Sequence, residues 1–460
     1  MQEYKDFERT DEVLYFLGLN LMEMNDEKRG LVAYNRLIAK FQKSKYLPDS
    51  YLAVGEYWFN GSKGKRESLE KALDGYKNAA RFPENQVYGY ALYKQGWCHF
   101  NMSDFEKAQD QFKAVVLYAK FAGSEAVEGK KGQKGSRAGL AKEARTDYVR
   151  AYSRGGGTPG EAKSKFKSLT DTDDEQRIML KQLAGLFYED GKDREAALAY
   201  DMLIKDRPVS PEAPGFQSRI VDCVMRAGNK QMTVQQVRRL VKIMDDVTKG
   251  GQIKEDKDKK AMEEARELSE RTISRLAVDW HNEGRKTRDE PTFEFANAVY
   301  ADYLTLFPTS PKAYDLRFFW AELLNDNLNK YEKAAGEYTT VFGIDVEKVK
   351  KGGDKKEDKP GKYFGNSAYN AILAWTEVVK KDEADGKIKP EAVTDPNKKL
   401  TIPPSKQSLL DACNNYLKYI EKGEKKVEIA YKAARIYYDY NHLDDAVARL
   451  SEIEIGRAHV

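Results

Sequence analysis

Cysteine, histidine and proline are scarce in this chain: 3, 4 and 14 among 460 residues. The cysteines, Cys98, Cys223 and Cys413, lie far apart and one must stay unpaired, which excludes a disulfide framework and leaves the redox compartment open. No apolar run approaches the roughly 18 residues of a membrane-spanning helix. The polar opening MQEYKDFERT does not read as a secretory signal. An excess of one charge is also lacking. Lysine and arginine number 78 against 74 aspartates and glutamates, a net charge of +4, without the positive field that gathers a nucleic-acid backbone. No nucleic-acid partner is therefore expected. Hydrophobic residues make up 41%, charged residues 33%, and mean hydropathy is −0.74. Such a chain has a large surface for its core, unlike a single round globule of this length.

What the sequence does contain is a repeat. In LKQLAGLFYEDGKDREAALAYDMLIKDRP, Leu180, Leu183, Ala184 and Phe187 make one helical stripe and Gly191 interrupts it. Ala196, Tyr200 and Leu203 make a second stripe, which Pro208 closes. This spacing resembles the tetratricopeptide repeat (TPR), a hairpin of helices A and B. A small residue is needed where the helices approach most closely, and the aromatic fills the gap to the next hairpin. Ala296, Tyr300, Tyr303 and Pro308 repeat the helix B offsets after Ile273, Leu276, Ala277 and Trp280. Ala72, Tyr76 and Ala79 do so after Val54, Gly55 and Trp58, and Gly96, Ala108 and Phe112 mark another unit. Weaker copies involve Leu14, Leu17 and Gly18 with Tyr34, Ala162 with Phe166, Phe216 to Val241, Ala334 with Tyr338, Ala412 with Tyr416, and Ala433, Ala434 and Ala446.

The expected fold is all-α, a right-handed α-solenoid of about ten irregular TPR-like hairpins over residues 1–453. Gly-, Lys-, Asp- and Glu-rich insertions are expected as loops near 61–68, 125–137, 249–260, 281–291, 348–362 and 381–404. The last residues, 454–460, ending in IGRAHV, resemble the translation of a sequencing-adapter oligonucleotide and are set apart as a non-native tail. A chain cut from a longer frame could equally lack its leader.

Candidate catalytic and ligand motifs fall short one by one. GGGTPGEAKS places Glu161 where a phosphate loop needs lysine, so a turn capped by Thr158, with Pro159 in the first helical position, is the better reading. Asp171, Asp173 and Glu175 alternate like calcium ligands, but Gln176 and Gln182 stand where the turn glycine and bidentate glutamate belong. An acidic helix start near Asp173 is expected instead. Cys98 and His99 are adjacent on a helix and point about 100° apart, so they cannot share a zinc ion. His281 and His442 fall near turns, where solvated roles are expected. The basic run at Lys130, Lys131, Lys134 and Arg137 lacks interleaved aromatics and reads as a loop. No catalytic residue, metal or cofactor is expected.

The helix A face that a solenoid turns inward carries Tyr15 and Leu19, Leu52 and Phe59, Tyr93, Trp97 and Phe100, Tyr188, and finally Tyr431 and Tyr438. This aromatic stripe is the candidate groove for a protein or peptide segment. The packing positions are Gly18, Gly55, Ala72, Tyr76, Gly96, Ala108, Phe112, Ala184, Ala196, Tyr200, Pro208, Ala296, Tyr300, Pro308, Ala334, Tyr338 and Ala446.

The N-terminal run from DEVLYFLGLNLMEMN to GEYWF, with VYGYALYKQGWCHFNMSDFEKAQDQFKAVV, resembles the cell-envelope TPR lipoproteins of myxobacterial adventurous gliding motility. That resemblance implies a non-catalytic adaptor in the periplasm or at the outer membrane, lipid-anchored only if a clipped N-terminus supplies the anchor, and cytoplasmic if no signal is missing. Two other classes stay open. An all-helical enzyme such as an α/α-toroid glycosidase would need two carboxylates facing across a cleft. An RNA-binding helical repeat would need regularly spaced base-reading polar residues.

Overall fold

The computed structural model describes residues 7–124, 131–250, 253, 255–352, 359–389, 398–420 and 423–458, and the side chains of these except 122–124, 131–136 and 454–458. The described residues are all-helical and divide after Pro208 into two compact units. Unit 1 holds α1 (Thr10–Glu23), α2 (Glu27–Lys40), α3 (Leu47–Asn60), α4 (Arg66–Ala79), α5 (Tyr88–Asn101), α6 (Phe105–Ser124), α7 (Lys131–Arg154), α8 (Pro159–Lys167), α9 (Asp173–Glu189) and α10 (Asp193–Asp206). Unit 2 holds α11 (Ala213–Arg226), α12 (Lys230–Lys249), α13 (Asp256–Thr287), α14 (Glu290–Leu306), α15 (Pro311–Glu322), α16 (Tyr331–Lys351), α17 (Phe364–Ala384), α18 (Pro404–Tyr419), α19 (Lys426–Asp439) and α20 (Leu443–Ala458). A π-helical turn, Leu323–Asn327, follows α15. Within unit 1, α1 packs on α2, α3 on α4, α5 on α6 and α9 on α10, with α7 and α8 both packed on α9. Within unit 2, α11 packs on α12, α13 on α14, α15 on α16, α17 on α18 and α19 on α20, so both units are α-solenoids built from helix hairpins.

The turn between the helices of a hairpin recurs with one geometry. Asn25, Ser103, Gly191 and Asn441 take positive φ, and the next amide reaches back five residues: Asp26 to the Leu21 carbonyl, Asp104 to His99, Lys192 to Phe187 and His442 to Tyr437. Such a closure satisfies carbonyls orphaned at the helix end and reverses the chain within three residues. Asp26, Thr172, Asn229, Asp289 and Ser310 each accept a backbone amide of the first turn, whereas Thr158, expected to cap the helix that Pro159 opens, stands at the N-terminus of α8 without a side-chain bond to its amides.

Inside the hairpins all the glycines, alanines and aromatics among the packing positions are buried. Pro208 and Pro308 are exposed, just past the ends of α10 and α14. In the first three hairpins a helix A glycine lies directly beneath a helix B ring. A Cβ at Gly18, Gly55 or Gly96 would stand 2.9, 2.7 or 2.6 Å from Tyr34, Tyr76 or Phe112. Leu17, expected in the first core, is exposed, because Leu14, Gly18 and Leu21 form the face that meets α2.

The insertions are shorter than expected. Helix α13 runs on through Thr287, so most of 281–291 is helix: Gly284 is buried and leaves room for the Phe293 ring, and His281 is buried beside Tyr300. The 249–260 loop likewise shrinks, because a capping box of Glu255 and Asp258 restarts the helix at Asp256. Helices α7, α16 and α17 extend into 125–137, 348–362 and 381–404, of which residues 125–130, 353–358 and 390–397 lie outside the described residues. The ends of these stretches are anchored. Tyr363 stacks on Phe318 with ring centroids 3.9 Å apart, and the Gly361 amide donates to the buried Asp345 carboxylate at 2.8 Å. Residues 398–400 strap the last turn, with the Leu400 amide donating to the Tyr440 carbonyl, Asn441 Nδ2 to the Lys398 carbonyl and His442 Nε2 bonded to the Leu400 carbonyl. The side chains of the tail at 454–460 lie outside the described residues.

Candidate functional site

Helix α5 is aromatic at Tyr90, Tyr93, Trp97 and Phe100, a spacing of three, four and three residues that keeps all four on one side of the helix. Its opposite side, with Ala91, Gly96 and Cys98, is buried. The rings of Tyr93 and Trp97 lie 5.8 and 6.1 Å from that of Phe112, and Trp97 meets Phe100 edge-on at 5.3 Å. Phe100 meets Phe105 at 5.4 Å. Tyr93, Trp97 and Phe100 are thus half-buried: one edge of each belongs to the hairpin and the other stays open. Tyr90, 40% exposed, extends the ladder by one turn. It escaped the sequence reading, although its spacing from Tyr93 carries the same helical signal.

Polar links hold this face in place. Tyr93 donates its hydroxyl to Asp147 Oδ2 of α7 at 2.6 Å, and Arg150 pairs with the other carboxylate oxygen at 2.7 Å. Burial, helped by that carboxylate, raises the Tyr93 phenol well above its ordinary pKa, so it stays a donor. Lys94 pairs with Glu56 of α3 at 3.1 Å, and its ammonium stands 4.0 Å above the Phe59 ring. Tyr76 donates to the same carboxylate at 2.8 Å.

The remaining stripe residues each have local surroundings of their own. Tyr15 stacks on Tyr46 at 4.6 Å, Leu52 is half-buried against the core, Leu19 is 36% exposed, and Tyr188 leans on Tyr200 at 6.4 Å. Tyr431 and Tyr438, 56% and 66% exposed, belong to unit 2.

Residues 90–119 match the tetratricopeptide repeat family. The match falls on the α5–α6 hairpin. The repeat contains the whole aromatic ladder of α5 and its packing partners Ala108 and Phe112. No curated protein matches the chain. Solved TPR structures resemble it distantly. The C-terminal part of a TPR repeat-containing protein from Cytophaga hutchinsonii is 14% identical, with 66% of this chain and 98% of that one covered and a TM-score of 0.29. The P58(IPK) TPR domain is 11% identical over 93% and 98%, with a TM-score of 0.22. The Cut9–Hcn1 hetero-tetramer of the APC/C is 10% identical over 95% and 94%, with a TM-score of 0.26. Likenesses at this level carry no argument about function.

The cysteines and two of the histidines are buried. Cys98, Cys223 and Cys413 are buried and in no disulfide, and burial pushes Cys98 and Cys413 up to about 12, far from the thiolate form. His281, expected to be solvated, bonds the Tyr300 hydroxyl at 3.2 Å, and burial, with Arg285 nearby, lowers its pKa to about 4. His99 is buried also, because it falls on the core side of α5. Among the described residues no three His, Cys, Asp or Glu side chains converge to hold a metal ion, and no helix is long and apolar enough to cross a membrane.

Proposed function

We propose that this chain is a non-catalytic protein-interaction scaffold in which the aromatic ladder of α5 receives a segment of a protein partner. The observation that carries this reading is the half-open row Tyr90, Tyr93, Trp97 and Phe100 inside the tetratricopeptide repeat. Rings held on one edge by the hairpin and by Asp147 are already ordered, so a partner gains aromatic contact with little loss of side-chain entropy. The buried thiols and buried His281 favour a binding role over nucleophilic or acid–base catalysis. The bacterial cell envelope is the proposed compartment, resting on the resemblance of the N-terminal run to motility-type TPR lipoproteins. Fractionation of cells expressing the full reading frame tests the compartment.

Trp97→Ala tests the site. Partner capture from an envelope extract should weaken by about 2 kcal/mol or more while the helical content holds. Because Trp97 also touches Phe112, Tyr90→Ala serves as the companion variant and should weaken capture without destabilising the hairpin. Equal recovery of the same proteins by wild type and both variants would remove the α5 face from the proposal.

A further inference from the structure

A second surface, independent of the α5 ladder, lies in unit 2 between α17 and α19. A cavity of about 350 Å³ opens there over an apolar floor of Val379, Leu409 and Ile436, with Tyr431 at its rim. Most charges on its walls are matched. Lys406 pairs with Glu383 at 2.8 Å, Lys380 with Glu377 at 2.7 Å, and Arg435 reaches Asp439 at 3.9 Å. Lys432 differs. Its ammonium donates to Thr376 Oγ1 at 3.1 Å, and among the described residues no carboxylate stands within ion-pairing distance of it. The Thr376 hydroxyl donates its own proton back to the Ile372 carbonyl at 2.7 Å, so it meets Lys432 as an acceptor and fixes the ammonium at the wall of the cavity.

We infer that this cavity binds an extended segment of a partner protein in which an aspartate or glutamate neighbours an apolar residue. The carboxylate pairs with Lys432, and the apolar side chain rests on Val379, Leu409 and Ile436 against the Tyr431 ring. Charge complementarity selects this occupant. An ammonium held by one neutral hydroxyl has donors to spare, and next to an apolar floor a carboxylate gains more from it than in open water. The wall carboxylates Glu383, Glu428 and Asp439 are each paired with a basic neighbour, so Lys432 is the charge left for an occupant, and a purely apolar segment would leave its ammonium unpaired.

The test is selection of a random seven-residue peptide library on the immobilised full chain, followed by fluorescence anisotropy of the enriched peptides. The expected result is enrichment of Asp or Glu adjacent to Leu, Ile, Phe or Met. Those peptides should bind at least fivefold more weakly to Lys432→Gln, bind normally to Lys432→Arg, and lose affinity as salt rises. Trp97→Ala should leave their binding unchanged, which separates this site from the α5 ladder. Absence of enrichment, enriched peptides without an acidic residue, or acidic peptides that bind Lys432→Gln as well as wild type would each overturn the inference.

Discussion

Glycine does opposite work in two parts of the molecule. In the first three hairpins Gly18, Gly55 and Gly96 sit under the rings of Tyr34, Tyr76 and Phe112, where even a methyl group would collide. In α16 of unit 2, Gly336 and Gly343 lie within a helix with open space beside them. The first set removes volume so that two helices can approach; the second only loosens a helix. Within one chain, a residue type shared by two helices therefore says little until its neighbour is known. The hairpin that uses α16 closes instead on Ala334 and Tyr338, both buried, with helices that differ in length by nearly a factor of two.

The largest effect should come from emptying the ring side of the glycine contact. Phe112→Ala leaves a cavity over Gly96 and beside Tyr93 and Trp97, and should cost about 3–5 kcal/mol, read as faster amide hydrogen exchange in α5 and α6. A loss below about 1 kcal/mol would mean that the interlock is not a major support of this hairpin.

Acid should weaken unit 2 through His281. The folded pKa of His281, about 4, lies below its ordinary value of 6.5. As pH falls below 6.5 the unfolded chain takes up the proton first, so stability is full above 6.5 and declines towards about 4. The decline should be of the order of 2–3 kcal/mol and absent from His281→Gln. Urea midpoints at neutral and mildly acidic pH, compared between the two proteins, check it; parallel declines would show that other groups carry the acid sensitivity.

Overpacking one crossing gives a smaller effect. Ala196 is fully buried where α10 meets α9, and Ala196→Phe should cost about 1–3 kcal/mol in a denaturant titration. An unchanged midpoint would shift the assigned register of that hairpin. The smallest effect has the opposite sign. Gly336→Ala should stabilise by about 0.5–1 kcal/mol, because the new methyl meets nothing and the helix gains propensity. The same change at Gly96 should not stabilise, since its Cβ would meet the Phe112 ring.

Much of this fold was legible in the residues because a hairpin repeat writes its contacts locally. Gly96 and Phe112, Ala184 and Tyr200, and Ala296 and Tyr300 recur at short offsets, and those offsets alone predict an all-α solenoid. Helix length was less legible. The charged residues from Asp256 to Lys260 look like a loop by composition, yet they clothe the start of a 32-residue helix whose core contacts begin at Ala265. His281 and Gly284 look like turn residues until Tyr300 and Phe293 are placed against them.

The sites divide in the same way. The α5 ladder followed from helical spacing, whereas the Tyr93–Asp147 bond spans 54 positions and nothing in the spacing announces it. Tyr431 was legible as an outward aromatic. That Lys432 beside it has a hydroxyl in place of a carboxylate depends on α17 lying alongside, which only the folded chain reveals.

Three bonds tie residues 398–400 to the turn between α19 and α20, so the segment ahead of α18 and the start of α20 are held as one, and a substitution that removes the Asn441 side-chain amide should be felt in both.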